Sequence, residues 1–279
     1  MIYTTFTGAI TVPARHHTLT EEQLQEIGGR FANGDKLKTL ASENDIQPGN
    51  LYQLLLRRNL QARRTGGTVS LVSDVNCFSD PFNNPTAAYF VGLLMADGSI
   101  SKRGCVSFGV KESDGAVVHA LNEFLGGKYA VSLRRPSAGK YGSSSTVRIS
   151  FQCTKVAEDL KKWGVSQRKT ETAEVLGGVN RLAAFWRGMV DGDGYVSNPR
   201  GCPRISLCGT QRVCEQFATF VRLHSPQWKG DVANTSHRFL KTVTAGGKSA
   251  LPIAKALYTP GCIAIPRKAA VAFAWFAQS

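Results

Sequence analysis

Tyr89-Phe90-Val91-Gly92-Leu93-Leu94-Met95-Ala96-Asp97-Gly98 has a partner 96 residues further on, in Phe185-Trp186-Arg187-Gly188-Met189-Val190-Asp191-Gly192-Asp193-Gly194. Gly92 and Ala96 stand at i and i+4, as do Gly188 and Gly192, so each segment carries small residues along one helix face. A stripe of that kind lets two helices approach nearly backbone to backbone. Each segment ends in Asp-Gly, and glycine is favoured just past a helix C-terminus. Packed side by side, the two helices would bring Asp97 and Asp193 to the same end of their interface. Two carboxylates about 5 Å apart repel by roughly 3 kcal/mol at an effective dielectric near 20, and the negative ends of both helix dipoles add to that. Hard divalent cations relieve such a pair, because they prefer carboxylate, carbonyl and water oxygens. The carbonyls of Ala96 and Gly192 are candidate further ligands. A bound Mg²⁺ can activate a water and stabilise the leaving oxygen of a phosphodiester. The bland alternative is a pair of helix C-caps, since Asp-Gly is common in turns.

The elements around the two segments repeat as well. After the first come an alternating strand (Val106, Phe108, Val110) and a helix through Val117, Val118, Leu121, Phe124 and Leu125. Strands around 129–134 and 146–152 follow, then a helix through Val156, Leu160 and Trp163. After the second come a strand at 205–207, a helix at 213–223, a strand near 238–244 and a helix at 250–257. This predicts two α+β halves, residues 87–182 and 183–279, related by a pseudo-twofold axis. A repeat this long marks a duplication, not a solenoid.

Upstream, residues 1–18 form an N-terminal arm to which the pattern assigns no role. Residues 19–64 predict three short helices. Thr20-Glu21-Glu22-Gln23 is a capping box, with Leu19 and Leu24 as the hydrophobic staple around it. Leu24, Ile27 and Phe31 recur at helical spacing until Asn33-Gly34. Leu37, Leu40 and Ala41 mark a second helix, and Pro48 opens a third with Leu51, Leu54 and Leu55 inward. The last two helices and the tight turn between them resemble a helix-turn-helix, in which the final helix enters the major groove. Gly49, Asn50, Tyr52, Gln53 and Arg57 would then be its exposed positions, with Arg58 beside them; a small helical packing module with a basic end is the other reading. Residues 65–86, rich in Gly, Ser, Asn and Pro, predict a linker tacked down by Phe78 and Phe82.

The formal charge is +14 and 42% of the 279 residues are apolar, which excludes a disordered basic tail. Residues 1–86 hold 8 basic and 8 acidic side chains, whereas residues 87–279 hold 26 and 12. The excess follows the duplicated body, and nucleic acid is the commonest polyanion to meet it. No apolar run reaches the roughly 18 residues of a membrane span, and no signal segment opens the chain, so a soluble cytoplasmic protein is expected. The seven cysteines include no C-x-x-C pair and predict reduced, mostly buried thiols rather than zinc ligands or disulfides.

The two G-x-x-x-x-D-G segments and their flanks resemble the paired signatures of LAGLIDADG homing endonucleases, over about 193 residues from Ala87 onward. The resemblance implies an α+β fold of two αββαββα halves, a monomer forming a saddle on double-stranded DNA, preceded here by the all-α helix-turn-helix-like module. It implies Mg²⁺-dependent double-strand cleavage across the minor groove at a long asymmetric target; Mn²⁺ would substitute, and Ca²⁺ would bind without supporting cleavage. The metal ligands carry over to Asp97 and Asp193. A lysine after the helix closing each half, which helps polarise the attacking water, carries over to Lys169 and Lys268. The polar residue after the second strand carries over to Gln211, with Glu112 its less usual counterpart. Met95 departs from the family by replacing the first acidic residue of motif one. Trp186-Arg187 is bulkier than Leu-Ala and would strain or re-aim the second helix.

Alternation along the strands sets the face toward DNA. Val147, Ile149 and Phe151 point to the helices, so Arg148, Ser150 and Gln152 point outward. Ser107, Ser132, Arg134, Arg204 and Ser206 follow by the same rule. Arginine suits guanine edges and Gln suits adenine edges in the major groove. The loop 135–145, with Lys140 and Tyr141, is a candidate clamp on the phosphate backbone. The competing functions are a DNA-binding regulator that has lost cleavage and an RNA maturase on the same fold. Intein excision is not expected, because the chain begins Met1-Ile2 and ends Ala277-Gln278-Ser279 without a terminal His-Asn. A bacterial or phage-infected cell, with nucleoid DNA as the target, is the expected setting.

Overall fold

The Gln23 N–H donates to Thr20 Oγ1 (3.2 Å) and the Thr20 N–H donates to Gln23 Oε1 (2.8 Å), closing the predicted capping box. Helix α1 (Glu21–Ala32) follows, then α2 (Leu37–Glu43) and α3 (Pro48–Arg57), with Pro48 in the first turn of the last. Leu24, Ile27, Leu40, Ala41, Leu51 and Leu55 form their shared core. These helices belong to a first unit, residues 1–69, and the rest of the chain, 70–279, forms a second. The computed structural model describes residues 19–32, 35–58, 60, 70–135, 144–166 and 173–277. The predicted N-terminal arm, 1–18, lies outside the described residues.

The part of the expected linker from Ser70 onward is packed against the first half. Val72, Cys77 and Phe78 are buried. The Ser73 N–H donates to the Leu125 carbonyl (2.9 Å), the Trp163 indole N–H donates to the Phe78 carbonyl (2.8 Å), and the Phe82 ring meets Trp163 edge-on at 6.2 Å. Gly, Ser, Asn and Pro signal an aperiodic backbone, which is compatible with a strap held by a few aromatic anchors.

The first half runs α4 (Pro85–Asp97), β1 (Ser99–Ile100), β2 (Cys105–Lys111), α5 (Ala116–Phe124), β3 (Ser132–Arg134), β4 (Thr146–Gln152), α6 (Thr154–Lys162). The second runs α7 (Ala183–Asp193), β5 (Gly194–Ser197), β6 (Arg204–Gly209), α8 (Gln211–His224), β7 (Ala233–Asn234), β8 (Lys241–Gly246), α9 (Ala250–Leu257), and adds α10 (Pro266–Phe276). The fold is therefore α+β, with the order αββαββα used twice. Each half builds one four-stranded antiparallel sheet, in the order β1-β2-β4-β3 and β5-β6-β8-β7. One continuous core joins the helices to the inner faces of both sheets.

The seam between α4 and α7 carries the pseudo-twofold. A Cβ added at Gly92 would lie 2.0 Å from the Phe185 carbonyl oxygen and 3.0 Å from the Met189 nitrogen. One added at Gly188 would lie 2.1 Å from the Tyr89 oxygen and 2.6 Å from the Leu93 nitrogen. Gly92 and Gly188, Tyr89 and Phe185, and Leu93 and Met189 are each 96 apart. The contacts are thus reciprocal, as a twofold requires.

Gly98 and Gly194 stand just past the ends of α4 and α7, as expected, and both are extended, with φ −83° and −104°. Glycine is needed there for space, since a Cβ would sit 2.6 Å from the Leu94 carbonyl oxygen at Gly98 and 2.6 Å from the Val190 oxygen at Gly194. Trp186 and Arg187 leave α7 continuous: Trp186 is fully buried on Phe217 and Phe220 and donates to the Asn180 carbonyl (2.7 Å).

Candidate active site and nucleic-acid face

Asp97 and Asp193 are the last residues of α4 and α7, and both are exposed. The small stripe carries the close approach to that end. A Cβ on Gly192 would lie 2.3 Å from Ala96 Cβ and 3.1 Å from Asp97 Oδ2. The seam thus brings the Asp97 carboxylate against the residue that precedes Asp193. The Ala96 and Gly192 backbones meet at the same place, where helix carbonyls end without intrahelical donors.

Each aspartate opens onto its own cleft. Asp97 lines one of about 250 Å³ with Ser99, Ser107, Gly109, Arg134 and Arg148. Asp193 lines one of about 240 Å³ with Met95, Ala96, Cys208, Gly209 and Thr210. Cys208 is close enough to Asp193 for the carboxylate, together with burial as the larger cause, to push its thiol pKa up.

Of the two lysines, Lys169 lies outside the described residues. Lys268 stands in the first turn of α10 and is buried. Its ammonium donates to the carbonyls of Val190 (2.8 Å), Asp191 (2.6 Å) and Gly194 (2.8 Å), so all three protons are used around the end of α7. Burial pushes its pKa down to about 8. Arg267 beside it forks onto Asp114 of the first half with two 2.8 Å bonds. Gln211 opens α8, exposed, with its amide turned to Glu215 (2.6 Å), and Glu112 is exposed on a short turn before α5. The residues that line the clefts are instead Cys208 beside Asp193 and Gly109 beside Asp97.

A buried polar cluster that the sequence reading missed lies behind the site. Asp191 accepts from the Tyr89 hydroxyl (2.9 Å), the Tyr258 hydroxyl (2.8 Å) and the Ile265 N–H (2.7 Å). Burial pushes the Asp191 pKa up and those of Tyr89 and Tyr258 well up. Arg187 donates to the carbonyls of Ile263 (2.9 Å) and Leu257 (2.8 Å) and lies over the Tyr89 ring. Its only sequence signal was two charged residues, Arg187 and Asp191, within the apolar body of α7 ahead of Asp193.

The outward residues follow the predicted alternation. Val147, Ile149 and Phe151 are buried, while Arg148 and Ser150 are exposed. Ser132, Arg134 and Arg204 are exposed, and Ser107, Gln152 and Ser206 half-buried. Several are already engaged: Ser107 Oγ and Ser150 Oγ share a 2.9 Å bond, Ser132 Oγ donates to the Arg148 carbonyl (3.4 Å), and the Gln152 amide donates to the Arg103 carbonyl (2.5 Å). Lys140 and Tyr141 lie outside the described residues. Register in the second sheet is settled by burial of Val243 and Ala245, which turns Thr242 and Thr244 outward beside the exposed Tyr195. In the first unit, Asn50, Tyr52, Gln53 and Arg57 line the exposed side of α3, and Arg58 is paired with Glu21.

Cys77, Cys153 and Cys214 are buried, but Cys202 is exposed and the other three are half-buried, so fewer thiols are sequestered than expected. Among the described residues no helix is long and apolar enough to cross a membrane, and no group of three or more His, Cys, Asp or Glu gathers as for a metal.

Solved structures similar to this chain include LAGLIDADG proteins. The I-SmaMI LAGLIDADG homing endonuclease bound to cleaved DNA matches with a TM-score of 0.42 at 15% identity, covering 70% of this chain and 88% of that one. The N-terminal LAGLIDADG domain of DUF199/WhiA matches at 0.42 and 13%, covering 67% and 89%. Full-length DUF199/WhiA from Thermatoga maritima matches at 0.44 and 12%, covering 75% and 66%. No family model matches the sequence, nor does any curated protein.

Proposed function

We propose that this protein is a site-specific endonuclease of double-stranded DNA that works with a divalent cation, Mg²⁺ by preference. The observation that carries the reading is the α4–α7 seam, which sets Asp97 against Gly192 at the joint C-terminal ends of two helices. Two exposed carboxylates beside carbonyl-rich helix ends suit a hard cation in charge and donor type, with the Ala96 and Gly192 carbonyls as further oxygens. When bound, the ion would supply Lewis acidity toward the scissile phosphate and its attacking water. The chain's own part is to hold the carboxylates at one place and to present two outward sheet faces, rich in hydroxyl and guanidinium groups, to the duplex on either side. The first unit would add contacts through α3 as a helix-turn-helix. Pseudo-twofold symmetry with unequal side chains suits a monomer on an asymmetric target.

Lys268 favours a second reading. With its three protons committed to backbone carbonyls it holds the end of α7 and has none left for a water. That arrangement would also serve a protein that binds DNA without cutting it.

One assay separates the two. A plasmid pool carrying randomised inserts is incubated with the protein in Mg²⁺ or in EDTA. The endonuclease reading expects linear product enriched for a particular insert in Mg²⁺ alone. Bound but intact plasmid under both conditions would leave the regulator.

A further inference from the structure

The two sheets share a framework and differ in the side chains that face outward. Register fixes which positions correspond. Ser107 lies opposite Ser99 and Ser150 in the first sheet, and Ser206 opposite Tyr195 and Thr244 in the second. Two residues further along the middle strands, Gly109 faces Arg148 where Cys208 faces Thr242. Arg148 then faces Ser132 on the edge strand, where Thr242 faces Ala233. Arg134 is the next outward side chain of that first edge. Its counterpart is Thr235, whose hydroxyl is closed onto the carbonyls of His237 and Leu240.

Beside Asp97 the first sheet therefore presents two exposed guanidiniums on one cleft. At the matching places the second presents hydroxyls, a thiol and a methyl; the outward Arg204 of that sheet stands at the end of β6 away from Asp193, opposite Ser197 and Gly246. Gly109 is part of the arrangement: a Cβ there would lie 3.1 Å from Arg148 Cγ, so glycine leaves room for the arginine stem against β2. Arg148 stands on a central strand, between Gly109 and Ser132, and not on a rim where phosphates are met. A guanidinium fork matches guanine O6 and N7, whereas threonine and alanine methyls match the thymine methyl group.

We propose that the duplex recognised by this protein is compositionally asymmetric about its centre: guanine under the first sheet, read by Arg148, with Arg134 beside it at the sheet edge, and A·T pairs under the second, met by Thr242, Thr244 and Ala233. This rests on the double-stranded DNA reading above. Each bidentate guanine contact discriminates about 5- to 150-fold against the other bases.

The test is selection of bound duplexes from a randomised pool with the full chain in Ca²⁺, followed by sequencing. Guanine is expected at one or two inner positions of one half-site and A·T pairs at the symmetric positions. Arg148→Ala flattens the preference at one guanine. Arg148→Lys flattens it too, because it keeps the charge and loses the fork. Thr242→Arg introduces a guanine preference in the other half-site. Alike half-sites would overturn the inference. So would an Arg148→Ala variant that binds every sequence more weakly with a shallower salt dependence, the mark of a phosphate contact. Enrichment without guanine sinks this inference alone, whereas failure to enrich any duplex sinks the DNA reading as well.

Discussion

Helices α4 and α7 are packed by the same contacts and carry different loads. At the seam they are interchangeable: Gly92 and Gly188 each meet the other's backbone at the equivalent carbonyl. Where α4 has Val91 and Met95, both apolar and buried, α7 has Arg187 and Asp191, also buried but bonded. Asp191 gathers donors from α4 (Tyr89), from the end of α9 (Tyr258) and from the start of α10 (Ile265), and so fastens the second half around the end of its motif helix. Met95 instead lines the cleft of the opposite aspartate, Asp193. Duplication has held the backbone contacts equal, because a Cβ at Gly92 or Gly188 would force the helices apart. The positions off that stripe were free to diverge.

The largest break in this comparison is Asp191→Ala. It leaves Tyr89, Tyr258 and the Ile265 N–H without their acceptor, at a cost of about 3–5 kcal/mol by analogy with breaking buried charged pairs. At about 2–4 °C per kcal/mol for a unit of this size, the midpoint of thermal unfolding should fall by roughly 6–20 °C. Met95→Leu, at the equivalent place in α4, should cost less than about 1.5 kcal/mol. Equal losses for the two variants would show the buried cluster to be incidental.

Gly92→Ala and Gly188→Ala come next. Each puts a methyl about 2 Å from a backbone oxygen, and overpacking of that kind costs roughly 3 kcal/mol. The two should fall within about 1 kcal/mol of each other, in denaturant titrations, because the contacts are reciprocal. A tolerated change at one glycine alone would break the symmetry argument.

The smallest effect compares thiols. Burial pushes Cys77 of the strap and Cys214 of α8 up to about 12, so at pH 8 roughly one molecule in 10,000 carries the thiolate at either. Alkylation of the native protein at pH 8 should mark the exposed Cys202 first and leave these two unmodified. Early labelling of Cys77 would mean that the strap opens.

The duplication, the seam and the sheet faces were legible because each rests on a periodic pattern: small residues four apart, or apolar residues two apart. Helix α10 was not anticipated, although Pro266 opens it and apolar residues fill it. The pairs β1 and β7 are two residues long, too short to show alternation. The Asp191 cluster was invisible for a different reason. Its donors, Tyr89, Tyr258 and Ile265, are scattered along the chain, and only the packing of three elements brings them together. Lys268 was singled out only by resemblance, as the lysine after the helix that closes the second half; its burial against three carbonyls at the end of α7 depends on the backbone of the extended Gly194 turn.

The central claim is that Asp97 and Asp193 act as a pair. It is tested most directly by cleavage of a supercoiled plasmid carrying a selected target, in Mg²⁺, by the intact chain and by Asp97→Asn and Asp193→Asn. The account predicts linear product from the intact chain. For each variant it predicts a loss larger than the roughly 100-fold that follows removal of an outer metal partner, with DNA affinity retained. Linear product from either variant at the intact chain's rate would contradict it.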